Sequence, residues 1–432
     1  MSRAAIVRAA VVVALVAGIG GLLARRTPKV ASVPRLSDAA LTEAIDYVAA
    51  ALDRDPGSPM LIGQLVNRLI LRFGRSADLG DIERAETLAA EALRLAPGKS
   101  AALARLSGVQ LMQHKFQPAL ASARAATLAD PASGEAQGVL LEAAVAAGDY
   151  PAAEAAVARI DAGTVAGRVR RALWLDNRGY SATARRELRR ACDELDRTGA
   201  IPEVRVWCLV QLTNLTHALA GPVEARAGYR RALAIDPENR GAREALANLD
   251  LAEGHDRAAR EGFAGLLSPA HPDLYLKLAE AERRLGRENE ARRWEDRFLA
   301  AADHPEVEAL FGNVLALFLA ERGDAASLDR ARDMARREVV RRPTAESWDL
   351  LAWVHYRRGE FGAAETASDS AAARGGGTAT MAYHRARVLG TVGRMAEAAE
   401  LDREATADPT LLAPHVRRDL TARKEASRRG AA

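Results

Sequence analysis

The chain has 432 residues, of which 49% are hydrophobic and 27% are charged, with 33 Gly and 17 Pro. These proportions exclude a disordered or low-complexity chain and leave enough length for extensive folded cores. The net charge of +4 comes from the two ends, since residues 31–416 hold 50 basic and 55 acidic residues. The body lacks the clustered cations that nucleic-acid binding requires, so we expect no nucleic-acid partner.

The first predicted element is a hydrophobic helix at the N-terminus. An uncharged run of 16 residues, 9–24, has two arginines on each side. As a helix this run would rise about 24 Å, short of a bilayer core, but arginine side chains can snorkel to cover the difference. We predict a membrane anchor at 1–26 and a linker at 27–36. A cleaved signal peptide is the alternative, because Gly18-Ile19-Gly20 provides a small-x-small site.

The orientation of this anchor is not fixed by charge. Basic residues flank the run on both sides, which leaves almost no asymmetry for the positive-inside rule. Segments of this kind usually engage export, so we expect a single N-terminal span with the rest of the chain on the periplasmic or otherwise extracytoplasmic side.

After the linker, the sequence repeats itself. Proline recurs at steps of 33 to 35 residues, at 97 and 131, at 237, 272 and 305, and, two steps apart, at 343 and 409. A period of this length indicates a repeat architecture, in which each unit packs only against its neighbours. Few aromatic residues (4%) and abundant Ala and Leu fit thin, closely packed helix interfaces.

Residues 348–367, "WDLLAWVHYRRGEFGAAETA", show the unit most clearly. Leu351 shares a helical face with Trp348, Gly359 suits the left-handed backbone that ends a helix, and Phe361 and Ala364 begin a second helix. Trp348, Leu351, Gly359, Phe361 and Ala364 are therefore expected to hold the fold. The same Gly and the Ala five residues later recur as Gly148 with Ala153, Gly254 with Ala259, and Gly286 with Ala291.

This unit resembles the tetratricopeptide (TPR) repeat, a 34-residue helix-turn-helix with a Trp-x-x-Leu-Gly opening, a Tyr, an Ala, a Phe and a closing Pro. The resemblance is close at 345–376 and covers 37–416. Further copies lie at 100–131, 134–163, 165–200, 206–237, 240–271, 272–304, 309–343 and 379–410. The resemblance implies an all-α fold, a right-handed α-solenoid of about nine to ten repeats. Residues 37–97 would add a leading helix and a unit stretched by residues 74–81, and 417–432 would form a basic tail.

Catalytic and metal-binding patterns are missing from the sequence. "APGKS" at 96–100 lacks the first glycine of a phosphate loop, and "GYSAT" at 179–183 lacks the second glycine of a nucleophile elbow. The eight His are scattered, without a partner at metal-ligand spacing, and we expect Glu280 and Glu282 to be solvated. We therefore expect no enzyme activity, cofactor, metal or small-molecule substrate.

The two cysteines, Cys192 and Cys208, are 16 positions apart. They fall near the end of one predicted helix and near the start of the next, which should pack together. We predict a disulfide if the chain faces an oxidising compartment, with two buried thiols as the alternative.

Partner binding is the function that the resemblance implies. In TPR proteins the first helix of each pair lines a concave groove that takes an extended peptide or a partner's helix. The matching positions here are Trp353, Tyr356, Tyr383, Arg387, Asn248 and Asn214. We predict that Trp353 and Tyr356 act as apolar anchors, because aromatic side chains dominate interface energetics. The alternative is that Trp353 packs against the adjacent repeat. The carboxylate clamp of some TPR proteins is doubtful, since Val210 and Glu244 stand where Lys is needed.

The expected function is a membrane-tethered TPR scaffold or adaptor for protein-protein interactions in the assembly of an envelope complex, similar to the anchored TPR subunits of bacterial export machineries. The alternatives are a secreted, soluble peptide-binding protein and a non-catalytic subunit of an envelope enzyme complex.

Overall fold

A computed structural model describes residues 36–303, 305–375 and 377–430. In these residues the secondary structure consists of 22 α-helices and one short 3-10 helix, Pro409–Leu411, without a β-strand. The all-α prediction is confirmed.

The helices are numbered in chain order. They are α1 Asp38–Arg54, α2 Pro59–Ser76, α3 Leu79–Leu95, α4 Ser100–Met112, α5 Phe116–Ala129, α6 Gly134–Ala147, α7 Tyr150–Val157, α8 Val165–Asn177, α9 Ser181–Arg197, α10 Pro202–Ala220, α11 Pro222–Ile235, α12 Arg240–Glu253, α13 Asp256–Ala264, α14 Asp273–Arg284, α15 Glu288–Ala302, α16 Pro305–Arg322, α17 Ala325–Arg341, α18 Ala345–Arg357, α19 Phe361–Ala373, α20 Ala379–Thr391, α21 Met395–Thr406 and α22 Pro414–Gly430.

The helices follow one another as pairs joined by short turns. In the described part of the chain, α2 to α21 form ten successive pairs, with α1 before the first and α22 after the last. This agrees with the predicted nine to ten repeats, and most pairs begin within two residues of the predicted start. Two begin four residues earlier, at Pro202 and Pro305. Proline suits the first turn of a helix, where its missing N–H costs no hydrogen bond, and this explains the earlier starts.

The turn inside most pairs contains a glycine with positive φ, whereas Ala77 and His114 adopt this conformation in the first two pairs. Gly359 has a φ of 74°, which only glycine adopts without strain, and Ala364 is fully buried. The corresponding residues Gly148, Gly254 and Gly286 also have positive φ, and Ala153, Ala259 and Ala291 are also fully buried. The repeated Gly and Ala pattern is confirmed as packing chemistry. Phe361 differs from the prediction, since it is 41% exposed at the first position of α19.

The described residues divide into two compact units. The N-terminal unit comprises 36–245 and 266–271, and the C-terminal unit comprises 246–265 and 272–430, so that the division falls within α12. Inside each unit, most consecutive helices pack together, and first helices of successive pairs also contact each other, α4 with α6, α6 with α8, α16 with α18 and α18 with α20. Each unit therefore has the neighbour-to-neighbour packing of a repeat protein.

A disulfide joins α9 and α10 in the N-terminal unit. Cys192 and Cys208 are bonded, and their Cα atoms are 5.7 Å apart, inside the usual range of about 4.4–6.8 Å. Of the two arrangements that the sequence left open, a disulfide or two buried thiols, the structure shows the disulfide.

The two ends of the chain compare differently with the sequence prediction. The predicted anchor at 1–26 lies outside the described residues, as does the linker at 27–36 except for its last residue. Among the residues that the structure describes, no helix is both long and apolar enough to cross a membrane. The predicted tail at 417–432 begins inside α22, and Asp419 and Leu420 of this helix contact the body.

Candidate partner-binding site

Four of the six predicted groove residues lie together in the C-terminal unit. Trp353 and Tyr356 are on α18, and Tyr383 and Arg387 are on α20. The two asparagines are elsewhere. Asn248 is half-exposed on α12 in the C-terminal unit. Asn214 lies in the N-terminal unit.

Asn214 holds its own helix pair together. Its Oδ1 accepts a hydrogen bond of 2.6 Å from the Tyr229 hydroxyl on α11. Tyr229 is buried, and burial raises the pKa of its hydroxyl above the usual range. The Asn214 amide oxygen is therefore engaged within the fold.

Trp353 is buried, with only 4% of its surface exposed. Its ring stacks on Tyr356 and on His384 of the next pair, with centroids 4.9 and 4.1 Å apart. Its Nε1 donates a hydrogen bond of 2.8 Å to Glu321 of the preceding pair. The structure therefore matches the alternative in which Trp353 packs against adjacent repeats. In this conformation Trp353 is not exposed to a partner.

Tyr383 and Arg387 are also engaged inside the molecule. Tyr383 is fully buried, and its hydroxyl donates a hydrogen bond to Asp419 on α22. Burial, followed by that hydrogen bond, raises the pKa of the Tyr383 hydroxyl. Arg387 forms an ion pair with Asp402 on α21, and its guanidinium lies 4.8 Å from the Tyr383 ring centroid. The polar groups of both predicted partner-binding residues are therefore engaged with other residues of the chain.

The element that covers this region is α22, the helix predicted as part of a tail. His415, Val416, Asp419 and Leu420 recur at helical spacing and form one face of α22, and Leu412 precedes the helix in extended backbone. Leu412 and Val416 are buried in a small core with Tyr383. The remaining surface of α22 is rich in basic residues. An apolar stripe on a basic helix explains why α22 packs onto the body instead of extending into solvent.

α22 also reaches a much earlier helix of the same unit. Arg418 forms an ion pair with Glu280 on α14, 138 positions away in the sequence. Glu280 is buried, and its second basic neighbour is Arg283, at 3.7 Å. The contact spans three helix pairs, so the first helices of this unit form a common surface on which α22 lies.

The expectation of solvated carboxylates at 280 and 282 is wrong. Glu280 and Glu282 are 5% and 6% exposed. Glu282 lies 3.1 Å from Arg260 on α13 and 3.3 Å from Arg287. Arg418 and Arg283 neutralise Glu280, and Arg260 and Arg287 neutralise Glu282, which is the condition for burying a charge. Helical spacing within α14 could show Arg283 but not the arginines outside this helix.

Two histidines meet under α22. His384 Nε2 on α20 and His415 Nε2 on α22 are 2.9 Å apart. His384 Nδ1 lies 2.9 Å from Asp349 Oδ2 on α18. Both rings are buried, and Trp353 stacks against His384 on one side. Asp349, His384 and His415 form a hydrogen-bonded chain across three first helices.

The hydrogen bonds among Asp349, His384 and His415 determine how many protons the two rings can hold. An ionised carboxylate only accepts, so the Nδ1 of His384 donates to Asp349. The hydrogen bond between the two Nε2 atoms then needs one more proton, which is carried by the ring that acts as donor. Burial, with the charges of His384, Arg418, Arg357 and Arg417 after it, holds the pKa of His415 well below 6.5. His415 is therefore neutral when α22 is packed in place.

A second cluster of possible ligands lies at the end of α12. Asp250, Glu253 and His255 bring one ligand atom each within 4.8 Å of one another. The statement that no histidine has a second ligand at loop spacing is therefore wrong for His255. Exposed acidic groups cluster in this way without an ion, so the absence of a metal site stays a prediction.

We call the surface of the C-terminal unit under α22 the first-helix surface, and define it by Glu280, Glu321, Trp353, Tyr356 and Tyr383. It combines two carboxylates with three aromatic side chains. Burial, followed by the charge of Asp419, raises the pKa of the Tyr356 hydroxyl. This surface can hold a helix that presents arginine beside an apolar stripe, as α22 does.

Sequence reasoning missed His384 and His415. Trp353, His384 and His415 are separated by two steps of 31 residues, whereas α18, α20 and α22 begin at residues 345, 379 and 414. The three rings therefore occupy different positions in their helices, and the repeat period alone does not predict their contact.

The fold and this surface define the class of the molecule as an all-helical repeat protein built from helix pairs. No protein-family model matches the sequence, and no curated protein is significantly similar to it. Among solved structures, the chain is similar to the human IFIT1 dimer with PPP-AAAA, at 16% identity over 77% of this chain and 78% of that one, with a TM-score of 0.47.

It is also similar to yeast Tom70, at 15% identity over 90% of this chain and 93% of that one, with a TM-score of 0.36. A third similar structure, Naa15/Naa10 bound to HypK-THB, has 16% identity over 86% of this chain and 62% of that one, with a TM-score of 0.26.

Proposed function

We propose that this chain is a protein-binding scaffold, and that the first-helix surface of the C-terminal unit binds a helix from a protein partner. The observation that carries this proposal is α22 itself. A helix of the chain lies on this surface with its apolar stripe against Tyr383 and with Arg418 on Glu280. The surface is therefore shaped and charged for a helix, and an extended peptide would not place groups at these positions.

The chemistry of the partner follows from the residues under α22. Apolar side chains at i and i+4 would replace Val416 and Leu420, and an arginine at i+2 would replace Arg418 on Glu280. Glu280 would lose its partner Arg418 if α22 left, so the surface favours a helix that supplies a basic residue at this position. The partner is a protein with a basic amphipathic helix.

We also propose that the N-terminal segment tethers this scaffold to a membrane, with the helix pairs on the extracytoplasmic side and a role in assembling an envelope complex. The Cys192–Cys208 disulfide supports this side, since disulfides persist in oxidising compartments and are rare in the cytosol. The proposal includes no enzyme activity, because the buried polar groups of the first-helix surface are engaged with one another.

Fractionation of cells tests the tether. The full chain should sediment with membranes and resist alkaline carbonate, whereas a chain beginning at Ser37 should stay in the supernatant. A mature N-terminus near Gly21 would replace the anchor with a cleaved signal and would make the scaffold a secreted, soluble protein.

Site-specific crosslinking tests the binding surface. A photoreactive phenylalanine analogue replaces Tyr356 of the full chain in native cells, and the matched control replaces Tyr180, which is 63% exposed in the N-terminal unit. We expect one partner to crosslink from position 356 and none from 180, with the crosslinked peptide mapping to a basic amphipathic helix. Crosslinking from both positions, or to an acidic or extended segment, would contradict the proposal.

A further inference from the structure

α22 is attached to the body by polar contacts that are few and reversible. Arg418 binds Glu280, Asp419 accepts from Tyr383, and His415 bonds to His384. Among the described residues, α22 follows the last pair and contacts α14, α18 and α20. It can leave without breaking a contact between the other helices, unlike a helix inside the array.

We infer that α22 is a built-in occupant of the first-helix surface that acid releases, because the His384–His415 hydrogen bond cannot be made when both rings are charged. The inference that acid releases α22 is argued only from contacts within the C-terminal unit. The consequence, that release opens the surface to a partner helix, rests on the proposed function.

The proton count of the histidine pair gives the reason. With one proton between the two Nε2 atoms, either ring can be the donor and the bond is made. One extra proton is tolerated, because a charged His384 beside Asp349 still donates to a neutral His415. When both rings are charged, each directs an N–H at the other, and the bond is replaced by repulsion between like charges.

The charges that surround His415 add to this effect. From α18 the facing groups are Asp349 and Arg357, and from α20 the facing group is His384. Asp349 accepts a hydrogen bond from the Nδ1 of His384. Arg357 is one of the cations that lower the pKa of His415.

The groups on α22 and α14 act in the same direction. Arg417 and Arg418 flank His415 on its own helix, and α14 contributes Arg284 and Glu280 beside them. Burial, with Arg284 next, lowers the pKa of Arg417 to about 10. Glu280 opposes the positive charge beside Arg417, and Glu321 pairs with Arg357, so burial is the main reason why a further charge on His415 is disfavoured in the packed state.

The direction of the pH effect follows from these pKa values. In released α22, His415 has an ordinary pKa of about 6.5, whereas in packed α22 its pKa is well below that value. The released state therefore binds more protons. The stabilisation of packed α22 is fully present above about pH 6.5 and is lost as the pH falls below it, by up to about tenfold per pH unit.

Hydrogen exchange of the full chain measures the release directly. The probe is a peptic peptide within 412–423, and exchange rates are corrected for the intrinsic effect of pH. We expect α22 to open about tenfold more often at pH 5.5 than at pH 7.5, while peptides from α14 to α20 keep their protection.

Two variants separate the histidine effect from general acid sensitivity. His415→Gln keeps an N–H donor toward His384 but cannot be protonated, so α22 should open equally often at the two pH values. His255→Gln is the matched control, because His255 is 60% exposed on its side chain and distant in sequence from α22, and the tenfold response should remain. Equal opening of the unmodified chain at both pH values, or a full response in His415→Gln, would overturn the inference.

A peptide added in trans separates this inference from the proposed function. The peptide has the sequence of residues 408–430 with His415→Gln, and it is titrated against the full chain by fluorescence anisotropy. We expect at least tenfold tighter binding at pH 5.5 than at pH 7.5, and weaker binding to Glu280→Gln. If α22 opens in acid and the peptide does not bind, the release stands and the proposed helix-binding surface is wrong. If α22 does not open, the release is wrong, and crosslinking at position 356 still tests the surface.

Discussion

The two units use different links between helices of successive pairs. In the N-terminal unit a covalent bond between Cys192 and Cys208 joins α9 to α10. In the C-terminal unit the link between α20 and α22 is a hydrogen bond between His384 and His415. The first link depends on the redox state and the second on the proton concentration. One region is fixed under oxidising conditions, and the other can change with pH.

The buried charges show the same difference. Arg170 and Glu142 of the N-terminal unit are 3% and 8% exposed on their side chains, and both belong to internal helices. A Cβ on Gly138 would lie 2.2 Å from the Arg170 guanidinium, so that glycine leaves the space for this ion pair. Glu280 of the C-terminal unit instead forms an ion pair with Arg418 of α22, the last described helix. Internal charge pairs hold an array together, whereas a pair made with the last helix can be broken separately.

The largest effect should come from a charge placed between two helices. Ala364→Glu buries a carboxylate at a fully buried position of α19, and we expect a loss of about 3–5 kcal/mol in the free energy of unfolding of the C-terminal unit. Ala363→Glu is the matched control on the exposed side of the same helix and should cost little. Hydrogen exchange should show 345–406 loosening while 100–160 stays protected. Equal loosening of both regions would contradict the local coupling of repeats.

Removing the disulfide should have the next largest effect, confined to the other unit. A bridge between residues 16 apart contributes about 3 kcal/mol when it limits the unfolded chain. Replacing both Cys192 and Cys208 by Ala should destabilise α9 and α10 by about that amount, and the loss should be the same at pH 5.5 and pH 7.5. Denaturant titration with a probe in each unit measures it. A loss that appears only at acid pH would remove the distinction between the two links.

The smallest effect should come from the ion pair under α22. Arg418 is 45% exposed on its side chain, so solvent screens the pair. Glu280→Gln should therefore weaken the packing of α22 by about 1 kcal/mol, or about fivefold in its opening by hydrogen exchange. Glu290→Gln, on an exposed pair with Arg293, is the control and should leave α22 unchanged. An α22 that opens no more often in Glu280→Gln would show that apolar packing alone holds it.

Local features of this fold are readable from the sequence because they depend on neighbours in the chain. Gly359 and Ala364 have the backbone and burial that their spacing predicts. The site is less predictable, because its contacts join distant residues. Glu280 and Arg418 are 138 positions apart, and which arginine neutralises a carboxylate depends on the curvature of the unit. Curvature is a sum of small rotations between pairs, and composition does not specify it.

The predicted groove residues show the same limit. Aromatic and basic residues on first helices were identified, and the structure brings Trp353, Tyr356 and Tyr383 together on one surface. Their engagement was missed, because a helix predicted to be a tail covers them. Trp353→Ala would remove packing and the hydrogen bond to Glu321, and would therefore report stability more than binding.

The most direct test is a distance between α22 and the body of its unit. Both native cysteines are bonded, so spin labels can be placed on Met395→Cys and Ala422→Cys, at exposed positions of α21 and α22. Pulsed electron spin resonance of the full chain should give one narrow distance at pH 7.5, and a second, broad population should appear at pH 5.5. A broad distribution already present at pH 7.5, or a single narrow distance at both pH values, would contradict the account of α22 as an acid-released occupant of the first-helix surface.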